Sequence, residues 1–352
     1  MAQWVRPEYS KARIDKSAEA LVPWWQGKAP QPTNLGDYYG IVENWRTSHA
    51  MPLLTFRVSL EARARRVDPQ AIVAQRLKRF SSAMNKLVRE PNMKLTQMQD
   101  LGGCRAILAS VSEVDQVYEK YEEGGGAGEQ QLKCYDYIRE PKSDGYRGIH
   151  IIGRYAAQAS KNEPWNGQRI EIQLRSRLQH AFATAVETVT TFTKQPLKFG
   201  AGPDEWRRFF SLVGSAFALK EGTTLVKDTP TEKSALIGEL RHLTNALYVY
   251  RRLGGWTKAM TKLKSRNIRG FNWLLLVLNL ENNTIRVTGF ADRAKARSAL
   301  SKLEPASGSS QQDAVLVWVS SLRDLRRAYP NYFADTEEFL GNLGDSLREN
   351  AS

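Results

Sequence analysis

Apolar and polar residues alternate along the chain with two distinct periods. From Asp68 to Val88 apolar residues recur at helical spacing opposite a basic side, which predicts an amphipathic helix. Short apolar runs bounded by turn residues predict strands at MQDLGGCRAILAS, KCYDYIRE, GIHIIGRY and RIEIQLR. Helices are predicted at VSEVDQVYEKYEE and LQHAFATAVETVTTF. This order indicates an α+β domain whose mixed, mostly antiparallel sheet is flanked by helices.

The C-terminal third predicts a smaller unit. Helical spacing continues to about Lys264, and FNWLLLVLNLENNTIRVTGF then predicts a hairpin. A helix, a strand and a helical segment broken at Pro330 follow, so we predict a β-β-α-β-α arrangement. The predicted regions are a main domain with an N-terminal helical part (1–200), a helical connector (201–268) and the C-terminal unit (269–352).

Composition limits the partners and the compartment. The 352 residues carry a formal net charge of +14, which favours a polyanionic partner, nucleic acid first and a membrane surface second. The longest apolar run, Trp273 to Leu278, is too short to span a bilayer. The N-terminus lacks the apolar core of a signal peptide. Two Cys and four scattered His predict a reducing cytoplasm without a zinc site.

Two strands place acidic residues where they can do chemistry. Alternation along RIEIQLR sends Glu171, Gln173 and Arg175 to one face. The alternative interpretation is the ordinary solvated face of an antiparallel sheet. Asp100 precedes a buried strand beside Gly102 and can hold Mg²⁺ together with substrate phosphates, although an Asp that caps a loop is the alternative.

The loop DYIREPKSDGYRGIH combines cations with an aromatic residue. Lys142 and Arg147 are cations, Gly145 permits a tight turn, and Tyr146 offers a flat face for a base. A charged hairpin tip is the alternative. With the basic side of the predicted Asp68 helix, these residues favour phosphoryl transfer between two nucleotides.

Four segments from Arg66 to Glu187 resemble, in order, the motifs of RelA/SpoT-type alarmone synthetase domains. They are RVDPQAIVAQRLKR, DLGGCRAI, DYIREPKSDGYRGIH and EIQLR. The resemblance implies the nucleotidyltransferase-like fold of that family. It also implies Mg²⁺-dependent transfer of pyrophosphate from ATP to a ribose 3′-hydroxyl. Gly148 departs from the usual Ser, and Asp68 from the usual Lys, which puts GDP or GTP as acceptor in doubt.

The resemblance also implies a role for individual residues. Asp100 and Glu171 hold Mg²⁺, or Glu171 takes the proton of the acceptor hydroxyl. Tyr146 joins them at the catalytic centre by stacking on the acceptor base. The implied ATP-binding residues are Arg66, Arg76, Arg79 and Arg105. The implied acceptor-binding residues besides Tyr146 are Lys142, Arg147 and His150. The implied supporting residues are Gln173, Arg175 and Glu187.

The tail resembles the metal-free, zinc-finger-like C-terminal unit of CapRel-type fused toxin–antitoxins. The shared motif is Tyr329-Pro330-Asn331-Tyr332, for which a helix break with two packed Tyr is the alternative. The resemblance implies a tail that closes over the ATP site until a phage protein, with the capsid protein as the first candidate, binds it. The released toxin would pyrophosphorylate the tRNA CCA end and block translation, as an abortive defence against phage.

The basic charge favours tRNA over a small nucleotide as the acceptor. Two alternatives stay open: a small synthetase making (p)ppGpp or its adenosine analogue, and a catalytically inactive fold that only binds RNA. The presence of Asp100, Glu171 and Tyr146 together argues against the inactive fold. We expect a cytoplasmic monomer without a membrane partner.

Overall fold

The computed structural model describes residues 4–124, 128–193, 204–265, 271–279, 284–301, 312–318 and 332–348. The chain forms two compact units. The first comprises Met1–Asp136 and Gly148–Ser176, and the second comprises Tyr137–Arg147 and Arg177–Ser352. These units do not follow the boundaries of the three predicted regions, which stay a prediction.

In the described residues, the first unit is a five-stranded sheet with five α-helices. Its helices are α1 (Lys11–Trp25), α2 (Leu35–Ser48), α3 (Ala50–Val67), α4 (Phe80–Arg89) and α5 (Val111–Glu122). Its strands are β1 (Ile72–Leu77), β2 (Gly102–Leu108), β3 (Glu129–Asp136), β4 (Ile149–Tyr155) and β5 (Arg169–Ser176). The strand order is β1-β2-β5-β4-β3, with β2 and β5 parallel and the other pairs antiparallel. The predicted mixed, mostly antiparallel sheet flanked by helices is confirmed.

The two faces of this sheet follow the predicted alternation. Ile170, Ile172 and Leu174 are at most 1% exposed, while Glu171 and Gln173 between them are half-buried. Gly153 of β4 lies on the apolar face, where an added Cβ would overlap the Phe56 ring of α3. Helix α3 therefore packs closely on the apolar face, and the polar side chains of the same strands point to the opposite face.

The predicted single helix from Asp68 to Val88 is wrong. Helix α3 ends at Val67, and the Asp68 carboxylate accepts backbone N–H groups of Gln70 and Ala109. The chain then forms strand β1, which pairs with β2, and helix α4 starts only at Phe80. Pro69 disfavours helical backbone before it, and the β-branched Ile72 and Val73 suit a strand. Arg76 consequently lies on a strand.

The second unit combines helices with a small sheet. Its helices are α6 (Arg177–Thr193), α7 (Asp204–Glu221), α8 (Lys233–Ala246), α9 (Val249–Ser265), α10 (Arg293–Ser301) and α11 (Tyr332–Arg348). Its strands are β6 (Trp273–Asn279), β7 (Thr284–Phe290) and β8 (Gln312–Trp318), in the order β7-β6-β8 and all antiparallel. The predicted β-β-α-β-α order is confirmed. Pro330 and Tyr329 lie outside the described residues.

One core joins the C-terminal elements to the helices of this unit. Helix α11 packs against α6, α7, α8 and α9. Its Phe339 is fully buried, with ring centroids 5.7 Å from Phe217 and 6.4 Å from Phe210. Leu274 and Leu276 of β6 belong to the same core. Within the part of the chain described, no helix has the length and apolarity needed to cross a bilayer.

Candidate active site

The polar face of the first unit is centred on Glu171. Both of its carboxylate oxygens are hydrogen-bonded: Oε1 lies 3.0 Å from His150 Nδ1, and Oε2 accepts from Gln173 Nε2 at 2.7 Å. Arg175 Nη2 in turn donates to Gln173 Oε1 at 2.7 Å. Gln173 and Arg175 thus form a line of hydrogen bonds that fixes the Glu171 side chain, which is the geometry expected of supporting residues.

The surroundings of Glu171 keep it ionised. Burial alone would raise the pKa of this carboxyl, but His150, Gln173 and Lys78 favour the charged form more strongly and lower the pKa to about 2. A carboxylate with so low a pKa is a weak proton acceptor near neutral pH. Of the two roles expected for Glu171, holding a cation fits this environment better than general-base catalysis.

Asp100 is bound by two lysines in the same unit. Its Oδ2 lies 2.5 Å from Lys78 Nζ and its Oδ1 lies 3.1 Å from Lys86 Nζ. Burial lowers the pKa of the Lys78 ammonium, and the Asp100 carboxylate opposes that shift. Lys78 therefore interacts electrostatically with both predicted metal-binding carboxylates, Asp100 and Glu171.

Our sequence interpretation missed the functional potential of Lys78 and Lys86. Both were assigned to the basic side of one long helix, because the apolar spacing from Ile72 to Leu87 also suits a helix. In the structure Lys78 directly follows the end of β1, and its backbone N–H donates to Leu101 O at 2.7 Å. The pairing of β1 with β2 then brings both ammonium groups to Asp100.

The predicted ATP-binding residues do not all lie together. Arg76 on β1 and Arg105 on β2 belong to the polar face, because Gly103 of β2 pairs with both Arg76 and Glu171. Arg79 is exposed just before α4. Arg66 is exposed on the last turn of α3, outside the sheet. The sheet thus brings Arg76 and Arg105, but not Arg66, onto the face that carries Glu171.

The donor set on this face fits Mg²⁺. Asp100 and Glu171 are both carboxylates, and their side chains are 22% and 17% exposed, so both are accessible. Among the described residues no three His, Cys, Asp or Glu side chains lie together as a metal cluster. Mg²⁺ commonly takes only one or two carboxylates and completes its shell with waters and substrate phosphates.

The Tyr146 loop, Tyr137 to Arg147, belongs to the second unit. It leaves β3 at Asp136 and returns to β4 at Ile149, and these two residues are paired in the sheet. Lys142 Nζ lies 4.3 Å from the Tyr137 ring centroid and 5.3 Å from that of Tyr146. The half-buried Tyr146 ring therefore stands beside an exposed cation, as a site for a base and a phosphate requires.

Arg147 does not fit the predicted contact with acceptor phosphates. Its side chain is 2% exposed, and its Nη1 lies 2.5 Å from Glu221 Oε2 and 3.0 Å from Thr223 Oγ1. The guanidinium is occupied within the second unit, so its predicted role needs correction. His150, also predicted to contact the acceptor, is bonded to Glu171 in the first unit.

The structure describes the remaining predicted site residues only in part. Glu187 lies half-buried on α6. Tyr332 is the first residue of α11, and its side chain is not among those described. Tyr329 lies outside the described residues, so the predicted autoinhibitory contact stays a prediction.

Comparison with known proteins finds a similarity over the middle of the chain. Residues 75–195 match the family model described as the region found in RelA / SpoT proteins. The GTP pyrophosphokinase YwaC of Bacillus subtilis (strain 168) is 24% identical over 162 residues, which cover 41% of this chain and 73% of that protein. Residues 75–195 are therefore similar to the region found in RelA / SpoT proteins. Arg66 lies outside the matched range, whereas Asp100, Tyr146 and Glu171 lie inside it.

Similar solved structures include two that each cover about half of this chain. The small alarmone synthetase 1 from Bacillus subtilis, bound to its product pppGpp, is 20% identical with a TM-score of 0.44, covering 51% of this chain and 92% of that one. A GTP pyrophosphokinase family protein from Streptococcus pneumoniae is 20% identical with a TM-score of 0.41, covering 51% and 87%.

Proposed function

We propose that this chain is an ATP-dependent pyrophosphotransferase. The observation that carries the proposal is the Asp100 carboxylate, paired with both Lys78 and Lys86, in the same unit as the Glu171 carboxylate that His150 and Gln173 hold. In the proposed reaction a ribose 3′-hydroxyl oxygen bonds to the β-phosphorus of ATP. The bond from that phosphorus to the oxygen bridging the α-phosphate breaks, AMP leaves with the electron pair, and the hydroxyl proton is released.

The residues of the polar face have separable tasks in this reaction. Asp100 and Glu171 would hold Mg²⁺, which supplies charge neutralisation for the donor phosphates. Lys78 and Lys86 would bind phosphate oxygens, because an ammonium that pairs with a carboxylate can pair with a phosphate in its place. Arg76 and Arg105 add guanidinium groups to the same face. Gln173 keeps the Glu171 carboxylate oriented through its hydrogen bond.

We propose the 3′-hydroxyl of the tRNA CCA end as the acceptor, with Tyr146 stacking on the terminal base. The support is the net charge of +14, which favours binding of a polyanion such as tRNA. Binding of a free nucleotide does not require so large a charge. A guanine nucleotide is the second candidate, favoured by the name of the relative YwaC, a GTP pyrophosphokinase. Pyrophosphorylation of the CCA end would block aminoacylation and hence translation.

We further propose that the tail restrains this activity. The segment containing Tyr329 and Tyr332 would cover the ATP-binding residues, and a phage protein, with the capsid protein as first candidate, would bind the tail and release it. The support is the Tyr-Pro-Asn-Tyr motif together with the packing of α11 in the core of the second unit, which tethers the tail. The protein would act in the cytoplasm as a monomer.

The test uses the full chain with ATP labelled on the γ-phosphate. Deacylated tRNA, GDP, GTP and AMP are offered separately, to the natural chain and to a variant with Tyr329→Ala and Tyr332→Ala. We expect label on tRNA, more of it with the variant, and at least a hundredfold less label when Asp100→Asn or Lys78→Met is added. Arg65→Met removes an exposed cation of α3 and is the matched control, with unchanged transfer expected.

Each arm decides a separate part of the proposal. Label on GDP or GTP alone would replace tRNA by a nucleotide acceptor. Equal label from the natural chain and the double Tyr variant would remove the autoinhibitory role of the motif. Transfer that survives both Asp100→Asn and Lys78→Met would overturn the assignment of the polar face.

A further inference from the structure

The Tyr146 loop is fixed along helix α7 at two points before Arg147. Ser211 Oγ donates to Ser143 O at 2.5 Å. Next to it, Gly145 (φ +87°) packs so closely on the Phe210 carbonyl that an added Cβ would overlap it. A Cβ added at Gly214 of the helix would likewise overlap the Gly145 backbone. The loop backbone therefore lies directly on α7, with no room for side chains between them.

The third point of attachment is the ion pair of Arg147 with Glu221. Ser211 and Glu221 are ten residues apart on α7, a rise of about 15 Å. The pair is buried, with side chains 2% and 11% exposed. Gln179 Nε2 also donates to Glu221 Oε2, at 3.2 Å. Two groups thus donate to the Glu221 carboxylate, the guanidinium of Arg147 and the amide of Gln179, and Thr223 Oγ1 accepts from the same guanidinium.

The position of Glu221 on the helix is informative. It is the last residue of α7, where the negative end of the helix dipole disfavours an anion. A largely buried carboxylate there is stabilised by a cation that neutralises it. The residue that supplies the cation, Arg147, directly follows Tyr146, so the ion pair fixes the backbone next to the stacking ring.

We propose that Arg147 is a positioning residue for the acceptor: its ion pair with Glu221 holds the loop on α7 and thereby sets the orientation of Tyr146. The inference rests on the proposed pyrophosphotransferase function and on Tyr146 as its acceptor-base platform. It replaces the direct contact of Arg147 with acceptor phosphates. Arg147 acts on the acceptor only through Tyr146, and it does so whether the acceptor is a tRNA end or a free nucleotide.

Steady-state kinetics of the full chain test this role. For Arg147→Met, for Glu221→Gln and for the double variant, we expect the acceptor KM to rise at least tenfold and the KM for ATP to change less than threefold. The double variant should resemble each single one, because the two residues act as one unit. Arg147→Lys keeps the charge and should recover part of the lost acceptor affinity. Arg208→Met, also on α7, breaks the half-exposed ion pair with Glu239 of α8 and should leave both KM values unchanged.

Salt dependence separates positioning from phosphate contact. A residue that binds an acceptor phosphate makes the acceptor KM more sensitive to ionic strength. If Arg147→Met weakens that sensitivity while Glu221→Gln does not affect the acceptor KM, Arg147 contacts phosphate directly and the proposal is overturned. Equal salt sensitivity of the natural chain and both variants, together with raised KM values, supports it.

Hydrogen exchange gives a measurement that does not depend on activity. The N–H of Lys142 donates to Tyr146 O, and the N–H of Gly145 donates to Lys142 O. In both single variants we expect these amides to exchange at least tenfold faster while the amides of β4 and β5 keep their rates. Unchanged exchange overturns the proposal that the Arg147–Glu221 ion pair holds the loop, even if activity falls. Faster exchange in a protein that labels no acceptor would support the loop-holding role of the ion pair. It would show that the proposed pyrophosphotransferase function is wrong.

Discussion

Replacing Phe339 by alanine should lower the free energy of unfolding of the second unit by about 4 kcal/mol. The Phe339 ring on α11 is fully buried against Phe217 and Phe210 of α7. A buried aromatic ring removes roughly 150–250 Å² from water, worth about 4–6 kcal/mol at about 25 cal/mol per Å². Core Phe→Ala changes cost about 3–5 kcal/mol. The value of about 4 kcal/mol lies in both ranges and corresponds to about a thousandfold larger unfolded fraction.

The assay is hydrogen exchange followed by mass spectrometry across a urea series. Because the chain has two compact units, a single transition is not assumed, and peptides are assigned to one unit each. Peptides from α7 and α9 of the Phe339→Ala variant should open at lower urea, and those from β4 and β5 should not change. Glu337→Ala is the control, since it alters an exposed position of the same helix and should cost at most about 0.5 kcal/mol.

A loss below about 1 kcal/mol would refute the packing argument, since so small an effect means that the ring is not an integral part of the core. An equal loss of protection in β4 and β5 would refute the assignment of Phe339 to the second unit alone.

Two further predictions concern single positions. The pKa of Glu171 is depressed from 4.5 to about 2, so its ionised form stabilises the fold above pH 4.5 by about 3 kcal/mol. This stability is lost as the pH falls towards 2. The difference in unfolding free energy between the natural chain and Glu171→Gln should therefore fall by more than half from pH 7 to pH 3. A constant difference would contradict the low pKa of Glu171. Gly145→Ala combines a left-handed backbone with overlap on Phe210 and should cost about 3 kcal/mol and most of the acceptor affinity. Gly222→Ala, at φ +64° with open space around it, should cost only about 1 kcal/mol, and equal costs in urea unfolding would argue against the close loop–helix contact.

Strand alternation was the most reliable guide to the polar face. The two-residue period of RIEIQLR fixes which side chains share a face once one face is apolar, so Glu171 and Gln173 could be placed from the sequence. The segment from Ile72 to Leu87 was misassigned because its apolar spacing suits both a helix and a strand followed by a helix. What decides between them is the pairing of β1 with β2, a contact that no local pattern contains.

The partners of the charged residues could not be predicted for the same reason. Lys78 meets Asp100 over a separation of 22 residues, and Arg147 meets Glu221 over 74. The sequence showed that cations were present near the motifs, but not which of them would face a substrate and which would be neutralised inside the protein. Burial makes that distinction: Arg76 stays exposed, whereas Arg147 is 2% exposed.

The structure also changes how autoinhibition should be tested. Removal of everything after α9 would take away Phe339, Leu274 and Leu276, and would expose the α7 side chains that pack on them. The Tyr146 loop is attached to α7. Such a truncation would therefore remove the proposed inhibitor and also disturb the proposed binding site of the acceptor base at Tyr146. An inactive truncated chain would therefore say nothing against autoinhibition. Substitutions at Tyr329 and Tyr332 leave the buried Phe339 in place, so only they separate loss of the inhibitor from loss of the platform.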